Sequence, residues 1–401
     1  MFAALKLAFC TAFVLTLAGC GTLSNMPIDA SNVDSQSLAC GNDLKGEIDR
    51  LAVPLLKKNM TPGLVVGVLT ADGRMRSWGY GVTDHNHRYP ITGDTLFAVG
   101  SVSKGFTAET TAILVKRGVL KWDDTLEQLM PKNIRLSERA KKITLLQLAT
   151  HTSGLPRQVM DVQMLRLFAE YLFTGNNFYT TLDDDRVLNY LANFNAPDNP
   201  APIYSNLGYA ILNYILRLKT GEPIDRSVND NIIQPLGLKN TSFTPEKLKQ
   251  FPYRALGHAG DQPKFILRGT PIPDWHFSSY MMGAASLYTS ANDLLKFAHA
   301  HLYPTGDHAL DEAISDSLKT YYNRTKEAAN IAWITDEIGL QRITYQVGYI
   351  GGYSSYIGLD RQHKIAVVVL QNSFNWNNHL GHLLIQRIGK AMDYRGKCRM
   401  D

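Results

Sequence analysis

Cysteine is scarce in this chain: four in 401 residues, at positions 10, 20, 40 and 398, with no Cys-x-x-Cys pair among them. That spacing excludes the common zinc frameworks. His85 and His87 form a His-x-His pair, but in a polar loop without a third ligand nearby, so solvation is expected of them, and neither a metal nor another cofactor. An excess of one charge is missing too. Lys and Arg number 41 against 36 Asp and Glu, a formal +5, and no basic block is dense enough to track a phosphate backbone. Nucleic acid is therefore not an expected partner. Repeats of fixed period and low-complexity tracts are absent, which excludes solenoids and disordered tails. The chain is 45% apolar and 19% charged, the balance of a packed globular core of one large domain or two ordinary ones.

The first twenty residues have a different character. Lys6 is the only charge before Asp29, and Leu7 to Leu17 is almost wholly apolar. A basic start, an apolar run and small residues at a cut site describe an export signal. The ending Leu17-Ala18-Gly19-Cys20 resembles the bacterial lipoprotein box. The resemblance implies a signal peptide over 1–19, cleavage before Cys20 and a lipid on its sulfur. An ordinary signal peptide or an uncleaved anchor is the alternative. Residues 20–42 are polar and suit a tether. The expected location is the cell envelope or periplasm, with the lipid as membrane anchor. Export permits a disulfide, and Cys40 and Cys398 are its candidates, two free thiols being the alternative.

Leu44, Ile48, Leu51, Ala52, Leu55 and Leu56 recur at helical spacing. Gly63–Thr70 and Arg76–Val82 read as strands, with Asp72-Gly73 as the hairpin turn between them. Phe106–Val119 reads as a buried helix starting just after Ser101. Helical segments follow at about 143–149, 160–173, 183–193, 206–219, 224–234 and 292–301. Ile331–Ile334, Arg342–Val347, Ser354–Leu359 and Ile365–Gln371 read as strands, and Leu380, Leu383, Leu384 and Ile388 mark a last helix. Strands at both ends of the chain bracket a helical middle. An antiparallel sheet flanked by the terminal helices is expected from 43–120 and 290–398, with an all-helical lobe inserted over 121–289. Clefts between lobes are where small molecules usually bind.

Ser101-Val102-Ser103-Lys104 spaces a hydroxyl and an amine three apart at the start of a helix, which stacks them on one face. A serine needs a base before it attacks, and a buried lysine of lowered pKa can serve. The helix N-terminus also favours negative charge developing there. Alone, Ser-x-x-Lys is a weak signal, equally an N-capping serine with an exposed lysine. Tyr204-Ser205-Asn206 lies ahead of a helix in the helical middle. Gly348 and the pair Gly351-Gly352 end a strand, where glycine lets a substrate approach the backbone. The three together, in that order, are far rarer than each alone. The Gly-x-Ser-x-Gly elbow is absent around Ser101.

The order and surroundings resemble the family of class C β-lactamases, D-Ala-D-Ala carboxypeptidases and related family VIII esterases. Phe97 to Lys104 resembles its first motif. Leu145-Leu146-Gln147-Leu148-Ala149-Thr150-His151-Thr152-Ser153-Gly154-Leu155-Pro156 resembles its loop entering the helical lobe. Tyr204-Ser205-Asn206 resembles its second motif, and Pro235-Leu236-Gly237-Leu238 and Leu287 to Asp293 match further segments. The resemblance spans about 45 to 392. It implies the α+β, β-lactamase/transpeptidase-like fold, with Ser101 acylated by an amide or ester and Lys104 and Tyr204 moving the protons. Either Lys104 or a Tyr204 phenolate is then the acylation base. Asn206 positions substrate and hydrogen-bonds the Lys104 region, and His151 is framework.

The third motif departs from the family's Lys-Thr-Gly or His-x-Gly and reads Gln346-Val347-Gly348. The backbone role survives, since the N–H groups of Tyr349 and Ser101 can form an oxyanion hole. The partner for a substrate carboxylate is lost. Gln346, Gly348, Tyr349 and Asn206 are the expected substrate contacts. Candidate substrates are a peptidoglycan D-Ala peptide, a β-lactam or a small ester, and the missing cation favours an ester or an amide without a terminal carboxylate. A non-catalytic binding or scaffold protein on the same fold is the alternative.

Overall fold

The computed structural model describes Leu38 and residues 43–394, apart from 87, 325, 326 and 377. Cys20, Cys40, Cys398 and His87 lie outside the described residues, as do 1–19 and all of the 20–42 segment except Leu38. Leu38 itself is buried in the apolar cluster beneath the terminal helices.

Helix α1 (Leu44–Lys57) leads into the hairpin of β1 (Gly63–Leu69) and β2 (Met75–Gly81). Its turn closes through Gly73, whose φ of +79° suits a residue without a Cβ. After β3 (Phe97–Ala98) a 3-10 turn, Gly100–Val102, runs straight into α2 (Ser103–Lys116). The helical middle contains α3 (Leu145–Ala149), α4 (Val162–Thr174), α5 (Asp184–Leu191), α6 (Asn206–Thr220) and α7 (Met282–Ala285). Then come β4 (Tyr288–Thr289), α8 (Ala291–Leu302) and α9 (His308–Ser317). The chain finishes with β5 (Tyr322–Arg324), β6 (Glu327–Ala329), β7 (Ile334–Ile338), β8 (Gln341–Ile350), β9 (Tyr353–Asp360), β10 (Ile365–Gln371) and α10 (Leu380–Tyr394).

Eight strands form one sheet in the order β2-β1-β10-β9-β8-β7-β6-β5, every neighbour antiparallel. The central strands β1 and β10 are buried along their whole length, because both faces are covered. Leu64, Val66, Val68, Val367 and Val369 lie in the cluster packed by α1 and α10. Val65, Leu69, Val368 and Leu370 point the other way, into the core shared with α2 and α8. This period-two division fixes the register, since a one-residue slip would exchange the two faces.

Two expectations shift. The apolar run Ile331–Ile334 is not a strand until its last residue. Ala332 has φ +64° and Asn330 N–H donates to the Trp333 carbonyl at 2.9 Å, so the run turns sharply while Ile331 and Trp333 stay buried. A buried turn and a buried strand have the same apolar signature. The helix expected from Phe106 begins at Ser103, and it is enclosed on every side, with Ser103 to Leu114 all buried.

The sheet comes close to the turn that leads into α2. A Cβ on Gly348 would lie 2.0 Å from the Val99 carbonyl oxygen. The Gly348→Ala protein should lose about 1–3 kcal/mol of stability by overpacking and most of any hydrolytic activity, because β8 must retreat from the Ser101 turn. Denaturant unfolding and turnover check this; wild-type behaviour in both would contradict it.

Candidate active site

Three backbone features aim Ser101 at the sheet edge. Gly100 sits at φ +52°, and a Cβ there would meet Ile350 and the Tyr349 carbonyl, each at 3.1 Å. Ser103 Oγ donates to the Gly100 carbonyl at 2.6 Å and accepts from Leu287 N–H at 3.0 Å, which locks the turn. Ser355 Oγ donates to the Val99 carbonyl at 2.8 Å, tying the turn to β9. β7 pairs with β8 only as far as Tyr345, whereas β9 pairs with it to Ile350. Among the described strands, Gln346–Ile350 therefore has a partner on one side only, and every second residue there turns its N–H and C=O to the free edge.

Ser101 is partly exposed, while Lys104, one helical turn on, is 1% exposed. Lys104 Nζ lies 3.0 Å from Ser101 Oγ and donates to the Ala284 carbonyl at 2.8 Å. Burial drives the amine well below its usual 10.5, and the positive charge of Arg157 pushes the same way. Tyr204 approaches from the helical lobe. Its hydroxyl faces Ser101, and its ring centroid is 5.2 Å from Lys104 Nζ. Burial raises the phenol above 10.0, opposed by the neighbouring Ser101 hydroxyl and by Arg157.

His151 holds Tyr204 from both sides in sequence. Its carbonyl accepts from Ile203 N–H at 2.9 Å and its Nδ1 from Ser205 N–H at 3.0 Å. The latter bond leaves the ring proton on Nε2. His151 has φ +61°, a left-handed conformation uncommon for histidine. Its ring packs on Tyr204 at 4.3 Å and on Tyr209 at 5.2 Å. Burial, then the nearby Lys104 and Arg157 groups, hold it well below 6.5, so it is neutral.

Asn206 lies at the start of α6, its Nδ2 donating to the Tyr179 hydroxyl at 3.0 Å, which donates in turn to Gln158 Oε1 at 2.8 Å. Asn206 Oδ1 has no hydrogen-bond partner. Gln346 is 4% exposed, and its amide nitrogen would be 2.5 Å from a Cβ on Gly105, the residue after Lys104. Among the described residues neither amide atom of Gln346 has a hydrogen-bond partner. The Tyr349 ring turns to the far side, against Phe374 and Trp376, so its backbone is what reaches the Ser101 turn.

Ser101, Lys104 and Tyr204 thus converge, with Gly348 and the Tyr349 backbone beside them. Sequence reasoning missed Arg157, which abuts Tyr204, and the chain Gln158–Tyr179 that supports Asn206. It also missed Trp275, which crosses Gly351 at 3.3 Å from a Cβ placed there and stands edge-on to Tyr171 and Phe178. Arg157 directly follows the recognised Leu155-Pro156, the one signal that could have found it.

The sequence model of the family described as Beta-lactamase matches residues 48–388. A beta-lactamase of Pseudomonas fluorescens is 24% identical over 88% of this chain and 99% of its own. Penicillin-binding protein 4 of Amycolatopsis lactamdurans is 28% identical over 62% of this chain and 61% of its own. The crystal structure of a beta-lactamase/D-alanine carboxypeptidase from Pseudomonas syringae superposes with a TM-score of 0.73, 20% identity, and coverage of 86% of this chain and 98% of that one.

His151 links the site to stability. Its native pKa lies below its unfolded value of about 6.5, so below that pH the unfolded chain binds a proton that the native one refuses, and stability falls as pH falls through that window. In the His151→Gln protein the number of protons taken up on unfolding near pH 5.5 should drop by about one. Unfolding midpoints measured against pH read this, and an unchanged pH dependence would contradict a neutral native His151.

Proposed function

The chain belongs to the beta-lactamase family and is a serine hydrolase, and from that premise we propose that Ser101 attacks a carbonyl carbon to form an acyl-enzyme that water then clears. The observation carrying this is the 3.0 Å contact of Lys104 Nζ with Ser101 Oγ in a site where the amine is buried.

A neutral Lys104 accepts the Ser101 proton as the new C–O bond forms. The displaced carbonyl electrons settle on oxygen, where the N–H groups of Ser101 and Tyr349 stabilise the charge; each such donor is worth roughly two to three powers of ten in rate. Collapse breaks the bond to the leaving group, which takes a proton through the Tyr204 hydroxyl. Water repeats the sequence in reverse roles and frees Ser101.

Among family substrates we place a small ester first, or an amide without a terminal carboxylate, ahead of a β-lactam or a peptidoglycan D-Ala peptide. Two features support that order. Gln346 is neutral and turned against Gly105, and the Tyr179 hydroxyl bonded to Asn206 belongs to an aromatic cluster with Trp275 and Phe277, which suits an apolar or aromatic group. Lipid attachment at Cys20, and with it an envelope location, rests on Leu17-Ala18-Gly19-Cys20.

A fluorophosphonate probe read by intact mass should add one adduct to the wild type and none to Ser101→Ala; an unlabelled wild type that turns over no ester would overturn the reading. Gln346→Lys should raise acylation by penicillin several-fold relative to hydrolysis of a neutral nitrophenyl ester. Equal changes on both substrates would contradict the account of the missing cation.

A further inference from the structure

The strand wall of this site lacks a cation, yet one stands on the opposite wall. Arg157 Cζ lies 5.3 Å from the Tyr204 ring centroid, within the range of a cation–π contact. Its position is fixed from the backbone. The Arg157 carbonyl accepts from Asn206 N–H at 2.9 Å and Leu207 N–H at 3.2 Å, and the neighbouring Pro156 carbonyl accepts from Ser205 Oγ at 2.7 Å. The segment Pro156-Arg157 is thereby clamped onto the Tyr204-Ser205-Asn206 turn at the start of α6.

Building on the acyl-enzyme reading above, we propose that Arg157 is the cation of this active site, a positioning residue that holds and polarises the Tyr204 phenol from the helical wall. The groups facing that phenol are Ser101 and Lys104 on the α2 side, His151 and Arg157 on the loop after α3, and Tyr179 and Tyr209. Of these, His151 is held neutral and Lys104 well below its usual range. Arg157 brings a guanidinium charge to this cluster. It favours a negative phenol and an uncharged amine, the two states in which either group can take the Ser101 proton. A strand lysine would supply a charge from the sheet; here Gln346 leaves that place neutral and the charge comes from across the groove.

The test is the pH dependence of kcat/KM for a nitrophenyl ester, with the rate of fluorophosphonate inactivation as a second reading. Loss of the charge in Arg157→Gln should move the ascending limb to higher pH by half a unit or more. That is about a threefold or larger loss of rate on the limb, with the alkaline plateau nearly unchanged. Arg157→Lys, which keeps the charge, should leave the limb close to its native place. A limb that stays put in Arg157→Gln, or moves equally in both variants, overturns the proposal, as does a loss uniform across pH, which would mark a purely structural role. A wild type inert to both reagents removes the acyl-enzyme reading itself, and this proposal with it; an active wild type with an unmoved limb removes this proposal alone.

Discussion

A lysine amine taken out of water is costly while it keeps its charge, and among the described residues no carboxylate is hydrogen-bonded to Lys104 to offset that cost. The amine instead meets a serine hydroxyl and a backbone carbonyl, partners that suit its neutral form. Everything around it serves this burial. α2 is enclosed along its length because its first turn must hold the amine in the interior while Ser101 still reaches the groove. Gly100, Gly348 and Gly105 are small where β8 and α2 press together, each a place where a Cβ would meet backbone or the Gln346 amide. His151, Tyr204 and Tyr209 close the other side with aromatic surface.

Much of the fold was legible because its periodicities are strong. β1 and β10 read as strands from short valine-rich runs bounded by turn residues, and both terminal helices from their leucine spacing. The short strands β5 and β6 and the helix α9 were not read. Three-residue strands carry no period, and α9 begins among polar residues, capped by Asp307. The Ile331–Trp333 turn misled because burial, not strand geometry, selected its apolar residues. Within α2, Thr107, Glu109 and Thr111 are fully buried against polar partners such as the Gly283 carbonyl and His301, so no amphipathic stripe runs along the helix.

The site shows the same division. Ser101 and Lys104 share one helical turn, a relation that spacing alone encodes. Tyr204 and Gly348 stand in motifs whose order was visible. The contact that places Arg157 over Tyr204 joins two irregular segments 47 residues apart, with α4 and α5 between them. Trp275 and Tyr179 meet from separate loops, and sequence gives no sign that they face each other.

The account rests on the charge state of one amine. Magnetic resonance of isotope-labelled lysine, with the Lys104 signal identified by its loss in Lys104→Met, measures that state directly. A Lys104 amine that titrates well below 10.5 is the predicted result. A Lys104 that stays protonated up to about pH 10, like an exposed lysine, would contradict it.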